Sequence, residues 1–340
     1  MTTTGIWLLQ LGTPDEPSAS ACRRYLREFL SDPRVIDIPT PLRWLFVNLF
    51  VVPFRSPKTA KAYRKIWASG AKSPLLHYSE QFTIGLQKYF HETAEVRLSM
   101  RYQNPSMEEG WKEWKRLAPQ RILIVPLYPQ YSSAATGSSL ERVFEFMDGE
   151  ETIPSISVVP AFYNVDPFID IWVRRARAMQ IQNYDHLLIS FHGLPERQIK
   201  KADPSQSYCL IQPDCCNRST IENPFCYRAQ CFHTAQIIAN RLQLSKEQWS
   251  VSFQSRLGRT PWIRPYTDEI LKTLAQNGKK RIGVICPSFV SDCLETLEEI
   301  AIRGRETFLS AGGQELIHIP CPNDDPDWIK GFGEHLEKFL

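Results

Sequence analysis

The chain has 340 residues, long enough for two domains that each bury a core. Its 40 Lys and Arg against 37 Asp and Glu leave a formal charge of +3, too balanced to argue for nucleic acid or a strongly acidic partner. Nine cysteines are ordinary in number, but five of them fall between Cys209 and Cys231.

Residues 1–12 lack a basic leading segment and a small-residue cleavage site, so they read as a strand rather than a signal peptide. The expected location is cytoplasmic, where thiols stay reduced and clustered cysteines bind metal more often than they form disulfides. A helical pattern follows at 22–30, and then the run WLFVNLFVVPF at 44–54, flanked by Arg43 and Arg55. Crossing a bilayer takes roughly 20 apolar residues, about twice this run. It reads as a core helix, the lip of an apolar pocket or an interfacial anchor.

Eight short apolar runs bounded by turn residues predict strands. They lie at 5–11, 94–100, 121–127, 155–159, 185–191, 249–254, 281–286 and 315–319. Helical patterns at 138–147, 268–276, 294–309 and a closing 327–340 alternate with them. Such alternation predicts parallel sheets built from crossover units. Four strands in each half predict two similar α/β domains joined near 160–185, without any repeat in the sequence itself.

Ligands of open α/β sheets bind beyond the carboxyl ends of the strands. Those ends carry Gly12, Arg101, Tyr102, Tyr128, Tyr131, His192, Ser255 and Ser288, and no glycine-rich phosphate loop. A nucleotide cofactor is therefore not expected. His192 stands just past an apolar strand. Glu295 and Glu299, four apart, fall on one face of a helix that starts near a strand end, whereas Glu298 reads as part of a solvated stripe. A histidine facing carboxylates suits a first-row divalent ion such as Fe²⁺ and suits proton abstraction near neutral pH.

Several blocks in this order resemble the ferrochelatases, which insert Fe²⁺ into a porphyrin. They include LLQLGTPDEP (8–17), RSPKTAKAYRKIW (55–67), RYQNPS (101–106), PLYPQYSSAATGSS (126–139), SFHGLPER (190–197) and QSRLGRTPWIRPYTDE (254–269). The resemblance implies two Rossmann-like domains, each a four-stranded parallel sheet flanked by helices, with a porphyrin cleft between them. It places the boundary at 1–162 and 163–340, with a hydrophobic lip near 40–54. It implies insertion of Fe²⁺ into protoporphyrin IX to give protohaem, the last step of haem biosynthesis.

By the same resemblance His192 and Glu295 meet the substrate iron, and Glu299 continues a carboxylate path. Leu11, Arg55, Tyr63, Ser73, Arg101, Tyr102, Tyr128, Tyr131 and Trp262 correspond to porphyrin contacts. Leu11 is Met or Tyr in other members and can act here only by shape. Cys293 stands where many members have histidine. The lip implies contact with a membrane surface, which would put the chain peripherally on the inner face of the cytoplasmic membrane. The chain is expected as a monomer or homodimer. Competing readings are a chelatase for another tetrapyrrole or metal, and a haem carrier or iron–sulfur sensor on a chelatase scaffold.

The cysteine-rich segment, about 205–231, resembles an insertion. Its spacings match no zinc ribbon, which needs paired knuckles. Some members of the family hold a [2Fe–2S] cluster on an internal segment, and four thiolates suit one. Zinc and free thiols are the alternatives. The expected ligands are Cys209, Cys216, Cys226 and Cys231, with Cys215 left out because two adjacent residues do not easily share one cluster.

Overall fold

Strands buried on both faces should read as unbroken apolar runs rather than as alternations, and all eight such runs form strands in the computed structural model. It describes residues 4–67, 72–216, 223–258 and 260–340. The first four strands are β1 (Thr4–Gly12), β2 (Glu95–Tyr102), β3 (Arg121–Pro126) and β4 (Ser155–Val158). The second four are β5 (His186–His192), β6 (Trp249–Gln254), β7 (Arg281–Ile285) and β8 (Glu315–His318). They form two four-stranded sheets, β2-β1-β3-β4 and β6-β5-β7-β8, with every pairing parallel. The pattern duplication thus extends to strand order.

Each sheet is sealed by its own apolar layer. Trp7, Leu9, Ile122 and Ile124 pack against Trp111 and Trp114 in the first. Leu188, Ile282 and Val284 pack against Leu271, Ile300 and Phe308 in the second. Each fully buried side chain of this size contributes about 1.5–3 kcal/mol. Helix starts are fixed locally. Ser18 Oγ accepts from Ala21 N at 3.1 Å to begin Ala19–Ser31, and Ser106 Oγ accepts from Glu109 N at 3.1 Å to begin Met107–Leu117.

The chain divides into two compact units. The first contains Met1–Tyr128, Ser133–Pro160 and Asn323–Leu340; the second contains Pro129–Ser132 and Ala161–Pro322. The closing helix, Pro326–Glu337, was expected with the second half but belongs to the first unit. Its apolar face explains this: Trp328 and Phe332 stack on Phe82 of helix Pro74–Phe90 with ring centres 5.7 and 5.8 Å away. Gly85 admits Ile329, which would lie 2.4 Å from a Cβ there.

Two expectations about helices change. The run 44–54 lies on the helical segments Thr40–Leu45, Phe46–Val51 and Val52–Ile66, the middle one a π-helix. Only Val47 and Val52 of the run are buried, while Trp44, Phe50 and Phe54 are 60, 61 and 69% exposed, so the core-helix reading fails. Arg43 turns inward and donates to the carbonyls of Ile36 and Ile38. Among the described residues no helix is long and apolar enough to cross a membrane. The pattern at 294–309 is not one α-helix: Glu295–Gly304 is π-helical and Arg305–Ser310 continues as α. Wide turns of this kind are rare and concentrate at functional sites.

Candidate active site

In the second unit the strand order reverses between β5 and β7, and His192 is the last residue of β5 at that point. The neighbouring strand supplies Gln254 as its partner. The chain then turns sharply, with Gly193 N donating to Gln254 O at 2.7 Å. A side chain at 193 would sit 2.7 Å from that same oxygen, so the turn requires glycine. Leu194 O accepts from Ile263 N at 2.9 Å, and Glu196 N donates to Pro261 O at 3.0 Å. These bonds bring Trp262 alongside the histidine turn, where its Nε1 donates to Leu257 O at 2.9 Å.

The His192 ring has a defined polarity. Its Nδ1 lies 2.6 Å from Gly193 O. A carbonyl can only accept, so the neutral ring carries its hydrogen on Nδ1 and keeps the Nε2 lone pair for a metal or a proton. Phe289 meets the ring edge-on at 6.2 Å.

The carboxylates stand on the π-helix. Ser255 N donates to Glu299 Oε1 at 2.9 Å, and Ser255 Oγ bonds Oε2. Burial, with help from the Glu295 charge, raises the Glu299 pKa above the ordinary 4.5. Gln254 Nε2 donates to Glu295 O at 3.1 Å, which ties this helix start to β6. Cys293 is buried, and burial together with Glu295 pushes its thiol well up. The thiol therefore stays protonated and hydrogen-bonds the Glu295 carboxylate. Glu298 corrects the sequence expectation: it is buried, and Arg303 Nε pairs with it at 2.7 Å. On a π-helix the α-period used to place it outward does not apply. A cavity of about 210 Å³ opens beside Glu299, lined also by Ser255, Arg256, Asp268, Arg303 and Thr307.

In the first unit the equivalent strand end carries no reactive group. Leu11 and Gly12 close β1. Gly12 has φ +116°, and a Cβ there would lie 2.0 Å from Tyr102 O. Arg101 Nη2, Tyr102 Oη and Ser138 Oγ all donate to Asp32 Oδ2, at 2.8, 2.9 and 2.6 Å. Tyr102 is fully buried, so its hydroxyl serves this network. Tyr128 Oη lies 3.1 Å from Ser139 Oγ. Arg55 and Tyr63 share helix Val52–Ile66, with Tyr63 edge-on to Trp67 at 5.8 Å. Burial lowers the Arg55 pKa. Ser73 caps helix Pro74–Phe90. Tyr131 belongs to the second unit, where its N–H donates to Gln230 Oε1 at 2.7 Å and its ring meets Phe225 at 5.2 Å.

All five clustered cysteines are buried. Cys226 is a neighbour of Cys209 and Cys216, and Cys215 Sγ is 3.8 Å from Cys216 Sγ. Arg228 Nη1 donates to Cys216 Sγ at 2.9 Å. The neighbouring Cys226 thiol and the Arg228 charge bring the Cys216 pKa down to about 6. Cys215, set aside in the sequence reading, thus touches the chain of thiols, whereas Cys231 lies on helix Tyr227–Arg241. Among the described residues no three of His, Cys, Asp and Glu form a group that could hold a metal ion.

His192, Glu295, Glu299 and Trp262 are thus tied to the strand ends and adjoining loops of one unit. Ser255 and Ser288 were marked only by their place at strand ends, and Asp32, Ser138 and Tyr227 carried no mark in the sequence, since single hydroxyls and acids have no spacing to betray them. The fold resembles SirB from Bacillus subtilis, solved with Fe³⁺, at TM-score 0.55 and 12% identity over 99% of this chain and 95% of that one. A family model described as Ferrochelatase matches residues 3–339. The Ferrochelatase of Legionella pneumophila is 45% identical over 96% of each chain, that of Azotobacter vinelandii 44% over 98% of each, and that of Bdellovibrio bacteriovorus 41% over 97% of each. With fold, motif order and full-length identity in agreement, the chain belongs to the ferrochelatase family of metal chelatases.

Proposed function

We propose that this chain inserts Fe²⁺ into protoporphyrin IX to give protohaem, with His192 as the group that meets the reacting centre. The observation that carries this reading is the His192 ring, which commits Nδ1 to Gly193 O and keeps Nε2 as an acceptor at the strand-order reversal. Metallation must remove two pyrrole protons and admit an ion to a tight ring. Nε2 can take such a proton on the lone pair that the Nδ1 contact leaves to it. Glu299, with its raised proton affinity, can receive one in turn and release it toward the adjoining cavity, while Glu295 supplies charge for the incoming cation. Trp262, Tyr131, Tyr128, Arg101, Arg55, Tyr63 and Leu11 are proposed porphyrin contacts, with Ser73 and Tyr102 supporting the pocket wall through their own hydrogen bonds.

The test is anaerobic stopped-flow metallation of protoporphyrin IX by wild type and by His192→Ala. The variant should bind porphyrin, read by fluorescence quenching, yet metallate it at least ~10²-fold more slowly. Undiminished metallation by the variant would reject this role for His192. Binding without turnover by the wild type would favour a carrier.

Two finer readings belong with this one. The exposed aromatic and aliphatic side chains of residues 44–54 support docking on a membrane surface. Replacing Phe50 and Phe54 by serine should abolish flotation with anionic vesicles. Buried thiols are the donor type a [2Fe–2S] cluster takes, and they would have to draw together around it, since among the described residues they do not stand as a metal-holding group. Such a cluster would supply a redox-active centre, and no metallation step runs through it. Cys209, Cys216 and Cys226 would hold it, with Cys231 as the expected fourth and Cys215 as the competitor by contact. Visible absorbance of Cys215→Ala and Cys231→Ala separates the two: only loss of the true ligand bleaches the protein.

A further inference from the structure

We infer that Tyr227 is a positioning residue for His192, and that through it the cysteine-rich segment is mechanically joined to the active site. The inference rests on the reading of His192 as the reacting group.

Gln254 on β6 is the strand partner of His192, while β7 pairs with β5 only as far as Ile189 with Ile285. Beyond that point β5 has no strand on its β7 side, and the N–H and C=O of His192 need other partners. Both find them. His192 N donates to Ser288 Oγ at 3.2 Å. Ser288 Oγ lies 2.9 Å from Tyr227 Oη, and Tyr227 Oη donates to His192 O at 2.7 Å.

The proton directions follow without choice. Tyr227 has one hydrogen and spends it on the carbonyl, so Ser288 must donate to the Tyr227 oxygen while accepting from His192 N. The three bonds form a closed ring in which every donor and acceptor is used once. The ring fixes the peptide units on both sides of the histidine, and its Nδ1 contact to Gly193 O depends on the second of them.

Tyr227 is also the first residue of helix Tyr227–Arg241, directly after Cys226, the N-cap. The next residue, Arg228, reaches back to Cys216 Sγ and across to Arg264 O at 3.2 Å, close to the Trp262 loop. The segment that holds the thiols therefore grips the active-site turn at two places.

The experiment compares Tyr227→Phe, Ser288→Ala, the double variant and His192→Ala in anaerobic metallation, with the visible spectrum and thermal midpoint of each recorded. Tyr227→Phe keeps the aromatic side chain and loses one hydroxyl. It should lower kcat by roughly 10- to 100-fold, the scale of a small misplacement of a reacting group, with KM for porphyrin within about twofold and the spectrum unchanged. The double variant should be little worse than either single, because one broken link opens the ring. A wild-type kcat in both Tyr227→Phe and Ser288→Ala, with His192→Ala inactive, overturns the inference and leaves the function standing. A kcat that falls only in proportion to lost absorbance also overturns it. Full activity in His192→Ala instead removes the functional reading beneath it.

Discussion

The two units share one strand order but use their buried polar groups differently. In the first, Arg101, Tyr102 and Ser138 converge on Asp32. Their hydrogen bonds satisfy one another and stiffen the strand ends. In the second, Tyr227, Ser288 and Ser255 are spent on His192 and Glu299. The same architecture therefore serves once as a wall and once as a mount for reacting groups. Fold alone does not assign chemistry; what the hydroxyls hold does.

Four substitutions sharpen that contrast. The largest effect is expected at the mount: His192→Ala loses about two to four orders of magnitude in metallation rate with an unchanged thermal midpoint. In the wall the pattern reverses. Asp32→Ala leaves the Arg101 charge, 16% exposed in its side chain, without its partner, which costs about 3–5 kcal/mol. Denaturant unfolding should show that loss. Retention of full stability would mean that the network is replaceable by water.

A subtler contrast is electrostatic. Glu299 binds a proton more tightly folded than unfolded. The stability it contributes is fully present below the ordinary carboxylate range and is lost as pH rises through its raised value. Wild type should therefore lose stability relative to Glu299→Gln on going from acid toward neutral pH, read as midpoints across a pH series. Parallel curves would sink the claim that this carboxylate is destabilised by burial. The smallest effect is at a helix start: Ser106→Ala should cost about 1 kcal/mol in unfolding free energy and leave metallation alone.

The sheets were legible in the sequence because parallel strands covered on both faces leave unbroken apolar runs. His192 was legible because it ends one of them. The π-helix over Glu295–Gly304 was not, since one extra residue per turn barely changes an apolar pattern ten residues long. That misplaced Glu298 and hid its pairing with Arg303. Adjacency removed Cys215 from consideration, although its sulfur touches that of Cys216. Tyr227 drew no notice in the sequence, and only the premature end of β7 gives its hydroxyl a task.

The last helix has a consequence for biosynthesis. Trp328 and Phe332 complete the aromatic cluster around Phe82, yet they are translated only after every strand of the second unit. Domains commonly fold in order as they emerge, but here the earlier unit waits for the later one to be made before its surface is closed. Until then Phe82 and its neighbours on helix Pro74–Phe90 face solvent. A nascent chain stalled before residue 323 should expose a sticky amino-terminal half beside a carboxy-terminal half that has every strand it needs.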